Sequence, residues 1–162
     1  MTHPLQASDD HYEQTFRGLK AAGEPLNRVR IESCQFIDCD FSASVWRSVV
    51  LQECQFIRCN LGLWQLPYSE LASVQFEDCK LLGVDWTRAA WPDLGLTPRL
   101  QFRRCLLDDS SFFGLALDEM VLTGCQARDY DIDLRHNQLK GAKFSRFEAL
   151  RLLDSLEIEL VD

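Results

Sequence analysis

A five-residue repeat of large apolar side chains dominates this sequence. Between residues 31 and 96, every fifth position is large and apolar. The fourteen positions are Ile31, Phe36, Phe41, Trp46, Leu51, Phe56, Leu61, Leu66, Leu71, Phe76, Leu81, Trp86, Trp91 and Leu96. Because 46% of the residues are hydrophobic, an uninterrupted run of this kind has a chance probability on the order of 10⁻⁵. An α-helix requires a period of 3.6 residues and a strand a period of 2, so neither explains the pattern.

Small residues recur two positions before most of these large ones. Five of the seven cysteines occupy such positions, and the other two fall on the same frame shifted by one residue: Cys34, Cys39, Cys54, Cys59 and Cys79, then Cys105 and Cys125. If each five-residue unit forms one side of a square coil, four units complete a coil of about 20 residues, and successive coils stack about 4.8 Å apart. Phe36, Phe56 and Phe76 then lie above one another, and the chain is a solenoid whose interior is a pile of side-chain layers.

These units resemble the pentapeptide-repeat family. Matching units include Cys34-Gln35-Phe36-Ile37-Asp38, Cys39-Asp40-Phe41-Ser42-Ala43 and Ala142-Lys143-Phe144-Ser145-Arg146. The resemblance implies an all-β fold, a right-handed quadrilateral parallel β-helix with a C-terminal capping α-helix. We expect an N-terminal tail and capping strand over 1–23, the β-helix over 24–146, and a helix with a short strand over 147–162.

Three breaks in the repeat predict surface irregularities. Trp64 stands where a small residue is expected and Pro67 follows, which suggests a bulge or loop over 61–69. The frame slips by one residue inside 87–100, the stronger loop candidate, because solenoids absorb insertions on their surface. Its candidate functional residues are Pro92, Asp93, Pro98 and Arg99. A second slip, of two residues, is assigned to 126–132.

The period changes near the C-terminus. Ala149, Leu152, Leu153 and Leu156 follow helical spacing, so a helix is predicted over 147–156 and a strand over 158–161. An apolar helix at the end of a rod is also suited to a homodimer contact. The residues assigned to this cap or dimer helix are Phe147, Leu150, Leu152, Leu153 and Leu156.

Catalysis, cofactors and metals are not expected. The stacked cysteines favour space filling over a redox or metal site, because a zinc site usually draws on histidine partners and keeps tetrahedral geometry. His136 lies near Asp133 and Ser145 in sequence, but a catalytic triad requires a pocket that a packed solenoid does not offer. The chain contains no phosphate-binding glycine motif and no HExxH motif.

The charge points to a protein partner. The net charge is −8, which disfavours direct nucleic-acid binding. Residues 105–133 contain seven acids and one base. We predict an acidic partner-binding surface made by Asp78, Asp108, Asp109, Asp118 and Glu119. No apolar run reaches membrane-spanning length, and the first residues are polar, so we expect a cytoplasmic protein without membrane contact.

Within the family, the chain looks most like the Qnr and McbG group of topoisomerase-protecting proteins. The cysteine- and phenylalanine-rich first coils, the interruption containing proline and the apolar C-terminal helix carry that likeness. It implies a homodimer joined at its C-terminal helices. Such a dimer would mimic DNA, bind DNA gyrase or topoisomerase IV, and protect the enzyme from quinolone-like or peptide poisons. The alternative is an interaction scaffold for an unidentified protein partner, because fold alone does not fix function.

Overall fold

The chain winds into a right-handed quadrilateral parallel β-helix of about six coils. The computed structural model describes residues 4–6, 8–91, 98–128, 131–159 and 161. The strands are β1 Asp10–Tyr12, β2 Thr15–Arg17, β3 Leu26–Asn27, β4 Arg30–Glu32, β5 Gln35–Ile37, β6 Trp46–Arg47, β7 Val50–Gln52, β8 Gln55–Ile57, β9 Glu70–Ala72, β10 Gln75–Glu77, β11 Gln101–Arg103, β12 Val121–Thr123 and β13 Lys143–Phe144. The helices are α1 Arg146–Arg151 and three short 3-10 helices, Pro4–Gln6, Trp86–Arg88 and Leu152–Leu156. Within the described ranges, no helix is long and apolar enough to cross a membrane.

Every named strand pairs in parallel with the strand one coil away. β5 pairs with β8 so that Phe36 lies beside Phe56, and β8 pairs with β10 so that Phe56 lies beside Phe76. The 20-residue coil predicted from the repeat is therefore present. We number the faces in chain order: face 1 begins with His11, face 2 with Phe16, face 3 with Ala21 and face 4 with Leu26. A corner is named by the two faces it joins.

Aromatic side chains fill the interior. On face 2, Phe36 and Phe56 stack with ring centroids 4.7 Å apart, and Phe56 and Phe76 with centroids 5.2 Å apart. Trp64 is buried and its ring lies edge-on to Trp46 at 5.0 Å. The coil continues without a loop through the predicted irregular stretch 61–69, because the indole of Trp64 fits inside this aromatic layer.

The corners require a left-handed backbone. Two residues after most centres, non-glycine residues adopt φ values between 49 and 60°, as at Ser33, Leu63 and Tyr68. Left-handed backbone is unfavourable for residues with a Cβ atom, and it persists here because hydrogen bonds to the next coil fix each corner. The Ser33 N–H, for example, donates to the Gln52 carbonyl at 2.9 Å.

The β-helix starts earlier than the predicted boundary at residue 24. β1 pairs with β4 and β2 pairs with β5, so the first coil begins at Asp10. His11 occupies an inward position on this coil and is buried, and Leu5 covers it from the 3-10 helix at the N-terminal end. The segment predicted as tail and capping strand therefore forms most of a complete coil.

The first frame slip is an insertion of six residues. The Glu53 N–H bonds to the carbonyl of Ala72, nineteen residues later, whereas the Ser73 N–H bonds to the carbonyl of Pro98, twenty-five residues later. Ala90 still follows the earlier register, since its N–H bonds to the Ser69 carbonyl. The register thus changes between Ala90 and Pro98, a narrower interval than the predicted loop 87–100.

The second slip lies later than predicted. The Phe112 N–H bonds to the Asp131 carbonyl nineteen residues on, but the Leu117 N–H bonds to the Gln138 carbonyl twenty-one residues on. The two extra residues are therefore between 131 and 138, not within 126–132. Asn137 stabilises this turn because its buried side-chain amide donates to the carbonyls of Phe112 and Leu115.

The C-terminal end is capped by a shorter α-helix than expected. α1 ends at Arg151 and continues as the 3-10 helix Leu152–Leu156, which stops where Glu157 adopts a φ of 56°. Leu152 packs into the core, whereas Ala149 is exposed, in contrast to the predicted buried stripe. Residues 158, 159 and 161 are not in a strand, so the described part of the chain lacks the strand predicted there.

Candidate partner-binding surfaces

The five acids predicted as one surface lie on three different corners. Asp108 and Asp109 follow Leu107 on face 3 and lie at corner 3–4. Asp118 and Glu119 follow Leu117 on face 1 and lie at corner 1–2, diagonally across the solenoid. Asp78 lies at corner 2–3. The structure therefore does not bring the five carboxylates together.

Asp78 is neutralised by an arginine on the next coil. The Arg104 guanidinium lies 2.9 Å from Asp78 and 2.6 Å from Glu77. The hydrogen bond from Arg104 holds the pKa of the Asp78 carboxyl below its usual range. Lower on the same corner, Arg58 pairs with Asp38 at 2.8 Å. Corner 2–3 thus alternates negative and positive residues and presents little net charge to a partner.

Three of the other four predicted acids have a basic or backbone partner. Glu119 pairs with Arg99 at 3.3 Å. Asp108 and Asp118 each accept a 2.6 Å hydrogen bond from a backbone N–H on the next coil, from Arg128 and Lys140 respectively. The two backbone bonds fix the carboxylates of Asp108 and Asp118 without neutralising them, whereas Arg99 neutralises Glu119.

Corner 1–2 carries further acids, and sequence reasoning missed most of them. Glu13, Glu32 and Glu53 occupy three successive coils there, and Asp118 and Glu119 lie three coils beyond Glu53, with Arg99 between them at the same corner. We call these five acids the acidic corner. A hydrogen bond with Glu13 and the charges of Glu13, Glu32 and Glu53 raise the pKa of the neighbouring Tyr12 hydroxyl. The signal in the sequence was acids spaced by about one coil, which a count along consecutive residues does not detect.

Only half of the predicted loop residues fall in the described part of the chain. Pro98 is buried and its carbonyl accepts the Ser73 N–H at 2.7 Å, while Arg99 forms a corner with a φ of 53°. Both belong to the coil. Pro92 and Asp93 lie outside the described residues.

The predicted cap and dimer residues divide into two groups. Leu152 is buried against the last coil and Leu153 is half-buried. Phe147 is 78% exposed, and Leu150 and Leu156 are also exposed. The first group closes the core, and the second leaves an apolar surface at this end of the solenoid.

The cysteines form a column inside face 3. Cys39, Cys59, Cys79, Cys105 and Cys125 succeed one another by one coil each, and each thiol approaches a backbone carbonyl of the previous coil, as in the 3.3 Å contact from Cys59 to Phe36. Cys34 and Cys54 lie inside face 2, where burial raises the pKa of Cys54 to about 12. Within the described ranges, no group of three or more cysteine, histidine or acidic side chains could hold a metal ion.

His136 makes a local contact only. Its Nδ1 lies 3.0 Å from an oxygen of Asp133, and its ring packs on that of Phe113 with centroids 4.9 Å apart. The hydrogen bonds from Arg135, with a further one from His136, hold the pKa of Asp133 well below its usual range. Asp133 is therefore an ion-paired turn residue.

Comparison with a known protein family agrees with this architecture. A family model described as a pentapeptide repeat region matches residues 29–112. A search of curated proteins found no match. Among solved structures, a trypsin-treated variant of QnrB1, a plasmid-mediated fluoroquinolone resistance protein, is 17% identical over 93% of this chain and 99% of its own, with a TM-score of 0.38. Rfr23 from the cyanobacterium Cyanothece 51142 is 13% identical over 88% of this chain and 91% of its own, with a TM-score of 0.33. HetL from the cyanobacterium Nostoc sp. strain PCC 7120, involved in heterocyst differentiation regulation, is 13% identical over 83% of this chain and 84% of its own, with a TM-score of 0.35.

The family model covers more than half of the chain, and stacked five-residue units occupy much of the described part of the same region. Proteins of this family are in general structural or interaction proteins. The chain belongs to the pentapeptide-repeat family.

Proposed function

We propose that this protein is a cytoplasmic, non-enzymatic DNA mimic that binds DNA gyrase or topoisomerase IV and protects it from quinolone-like or peptide poisons. The acidic corner is the observation that carries the proposal. It places Glu13, Glu32 and Glu53 on three successive coils of one edge of a rigid rod, with Asp118 and Glu119 three coils further on, on a protein with a net charge of −8. A groove that binds DNA is lined with basic residues and would attract such an edge.

The spacing of these charges supports partial mimicry. Glu13, Glu32 and Glu53 follow one another at about one carboxylate per coil, or per 4.8 Å. A DNA strand carries one phosphate per about 3.4 Å of its axis. The acidic corner is therefore somewhat less dense than a strand of DNA, and we expect its binding to weaken with added salt.

The rest of the proposed contact comes from the insertion and from a second copy of the chain. Ala90 and Pro98 flank the insertion and lie on face 1, next to the acidic corner, and we propose that the inserted residues reach the site of the poison. We also propose a homodimer through the exposed Phe147, Leu150 and Leu156, which would place two rods end to end. A dimer of this kind doubles the length of acidic surface offered to a two-fold symmetric enzyme.

The direct test is a gyrase supercoiling assay with and without ciprofloxacin, titrating this protein. We expect supercoiling to recover at roughly stoichiometric dimer, and Glu32→Gln/Glu53→Gln/Glu119→Gln to abolish the recovery. The matched control is Glu70→Gln/Glu77→Gln/Asp131→Asn, which removes equal charge from positions outside the acidic corner and should retain protection. Equal loss in both variants would show a general charge effect and contradict a role for the acidic corner.

An interaction scaffold for another protein remains the second candidate. The observation that favours it is the distribution of the predicted acids over three corners, which suits several separate contacts. If this protein neither inhibits nor protects gyrase or topoisomerase IV from the same host, the scaffold is favoured.

A further inference from the structure

Corner 4–1 carries arginines and a tyrosine in a continuous row. Arg28, Arg47, Tyr68 and Arg88 occupy four successive coils on or beside this corner. The Arg28 N–H donates to the Arg47 carbonyl at 3.0 Å, and the Tyr68 N–H donates to the Arg88 carbonyl at 3.1 Å. The Arg47 guanidinium lies 5.6 Å from the centre of the Tyr68 ring, which joins the two pairs. We call these four residues the arginine–tyrosine ladder.

The charges of the ladder are available to a partner. All three arginines are exposed, and none forms an ion pair with a carboxylate in the described part of the chain. Arg58 and Arg104, in contrast, are paired with acids on neighbouring coils. What distinguishes the ladder is that three arginines without an ion pair among the described residues lie in one row, on a protein whose net charge is −8.

Tyr68 gives the ladder an apolar centre on a rigid backbone. Its ring is 67% exposed, and its φ of 59° is fixed by the corner hydrogen bond to Arg88. Exposed tyrosine provides contact area at low entropic cost, and a guanidinium over its face keeps the ring oriented. At the upper end of the ladder, Arg88 borders a groove on face 4 that Leu63, Gln65 and Asp85 also line. Leu63 offers an apolar contact there, and the Asp85 carboxylate accepts hydrogen bonds from Thr87.

We propose that the arginine–tyrosine ladder binds an extended acidic peptide segment of a partner protein. Three coil steps separate Arg28 from Arg88, a span of about 14 Å. Alternate side chains of an extended peptide point to the same side and repeat about every 6.8 Å. Three carboxylates at positions i, i+2 and i+4 therefore match the span of the three arginines, and the intervening residues point away.

Nucleic acid fits the ladder less well than such a peptide. A nucleic acid longer than the ladder would extend over the rest of a surface whose protein has a net charge of −8. Three phosphate contacts also release few counterions, so they bring little affinity against that repulsion. A short acidic segment keeps its charges within the ladder.

The test is fluorescence anisotropy with the full chain and a fluorescein-labelled Gly-Glu-Leu-Glu-Leu-Glu-Gly peptide. The control peptide has glutamine in place of each glutamate. We expect saturable binding of the acidic peptide that weakens with salt, and a Kd at least about tenfold weaker for the glutamine peptide, as expected from the loss of three exposed charge contacts.

Two protein variants with equal charge change locate the site. Arg28→Gln/Arg47→Gln/Arg88→Gln should weaken binding about tenfold. The control Arg17→Gln/Arg103→Gln/Arg128→Gln, on faces 2 and 3, should leave the Kd unchanged. Circular dichroism of both variants checks that the coils remain folded. Tyr68→Ala tests the aromatic part of the ladder without changing the net charge.

Three results would overturn the proposal: no binding of the acidic peptide at millimolar concentration, equal weakening by both triple variants, or tighter ladder-dependent binding of a short oligothymidylate than of the peptide. The last result would identify the ladder as a nucleic-acid contact. None of these results depends on gyrase, so the acidic-corner proposal is tested separately.

Discussion

Replacement of Phe56 by alanine tests whether the aromatic column on face 2 stabilises the solenoid layer by layer. Phe56 is fully buried and lies between two stacked neighbours, Phe36 at 4.7 Å and Phe76 at 5.2 Å. Trp64 adds an edge contact at 5.5 Å. Phe16, at the first coil, is half-buried, stacks on Phe36 at 5.2 Å and has an edge contact with His11 at 5.5 Å. The two positions differ in the number of layers they contact.

The magnitude follows from burial and stacking. Truncation of a buried phenylalanine to alanine costs about 3–5 kcal/mol, and each aromatic pair contributes about 0.5–1.5 kcal/mol beyond its area. For Phe56→Ala we expect a loss of about 4–5 kcal/mol, because a cavity would open between two occupied layers. For Phe16→Ala we expect about 2 kcal/mol, because part of the ring is already in contact with water.

The assay is equilibrium urea unfolding followed by tryptophan fluorescence. Trp46 and Trp64 are buried near Phe56, so their emission reports loss of the central layers. Phe56→Leu serves as the conservative control and should lose about 1–1.5 kcal/mol, since it keeps most of the apolar volume. Because solenoids interact mainly between neighbouring repeats, an equal free-energy loss at Phe16 and Phe56 would refute the layer-by-layer account.

Four further experiments have defined outcomes. Ser33→Val should lose about 1–2 kcal/mol of unfolding free energy relative to Ser33→Gly, because a β-branched residue is strained at a φ of 53°; urea unfolding of the pair measures this. Thiol titration with a disulfide reagent at pH 8 should proceed only as the protein unfolds, because Cys54 and the other cysteines are buried; fast reaction of the folded protein would contradict this. Arg104 lowers the pKa of Asp78, so their contact stabilises the fold above the unfolded pKa of about 3.9, and this stabilisation is lost as the pH falls through the folded pKa. The thermal unfolding temperature of Arg104→Gln should therefore depend less on pH below about pH 4 than that of the parent. Phe147→Ser should convert the proposed dimer into a monomer in sedimentation equilibrium, and a parent that is itself monomeric would contradict the dimer.

The repeat predicted the fold because each inward position is set by packing against the coils above and below. One large residue in five is sufficient to define the face, and the pairing of Phe36 with Phe56 follows from it. The first coil escaped detection because His11 and Ala21 stand at two of its centres. A buried histidine bonded to Gln14 and to the Leu5 carbonyl fills such a position physically, but it does not look apolar in the sequence.

Insertions were harder to place because the sequence pattern repeats every five residues and so does not reveal how many whole units have been inserted. A slip of one residue and an insertion of six give the same frame, and only the hydrogen bonds of Ser73 to Pro98 and of Ala90 to Ser69 distinguish them. Similarly, the turn held by Asn137 contains apolar residues that imitate a regular unit. The sequence frame therefore located each break only approximately.

The acidic surface was the least predictable feature. Counting charges along the chain selected residues 105–133, whereas surface neighbours are about 20 residues apart. Glu13, Glu32 and Glu53 were consequently not assigned to the predicted surface, and the pairing of Asp78 with Arg104 was not anticipated. In such a chain, surface charges have to be compared between residues that are one coil apart.

The parallel register has a consequence for how this molecule can change through evolution. Because one coil returns the chain to the same face after twenty residues, as from Phe36 to Phe56, substitutions at that interval alter one face and leave the other three intact. A duplication of twenty codons would add a layer and lengthen all four surfaces together. Selection can therefore adjust the length of the rod and the chemistry of each side independently, without redesigning the interior.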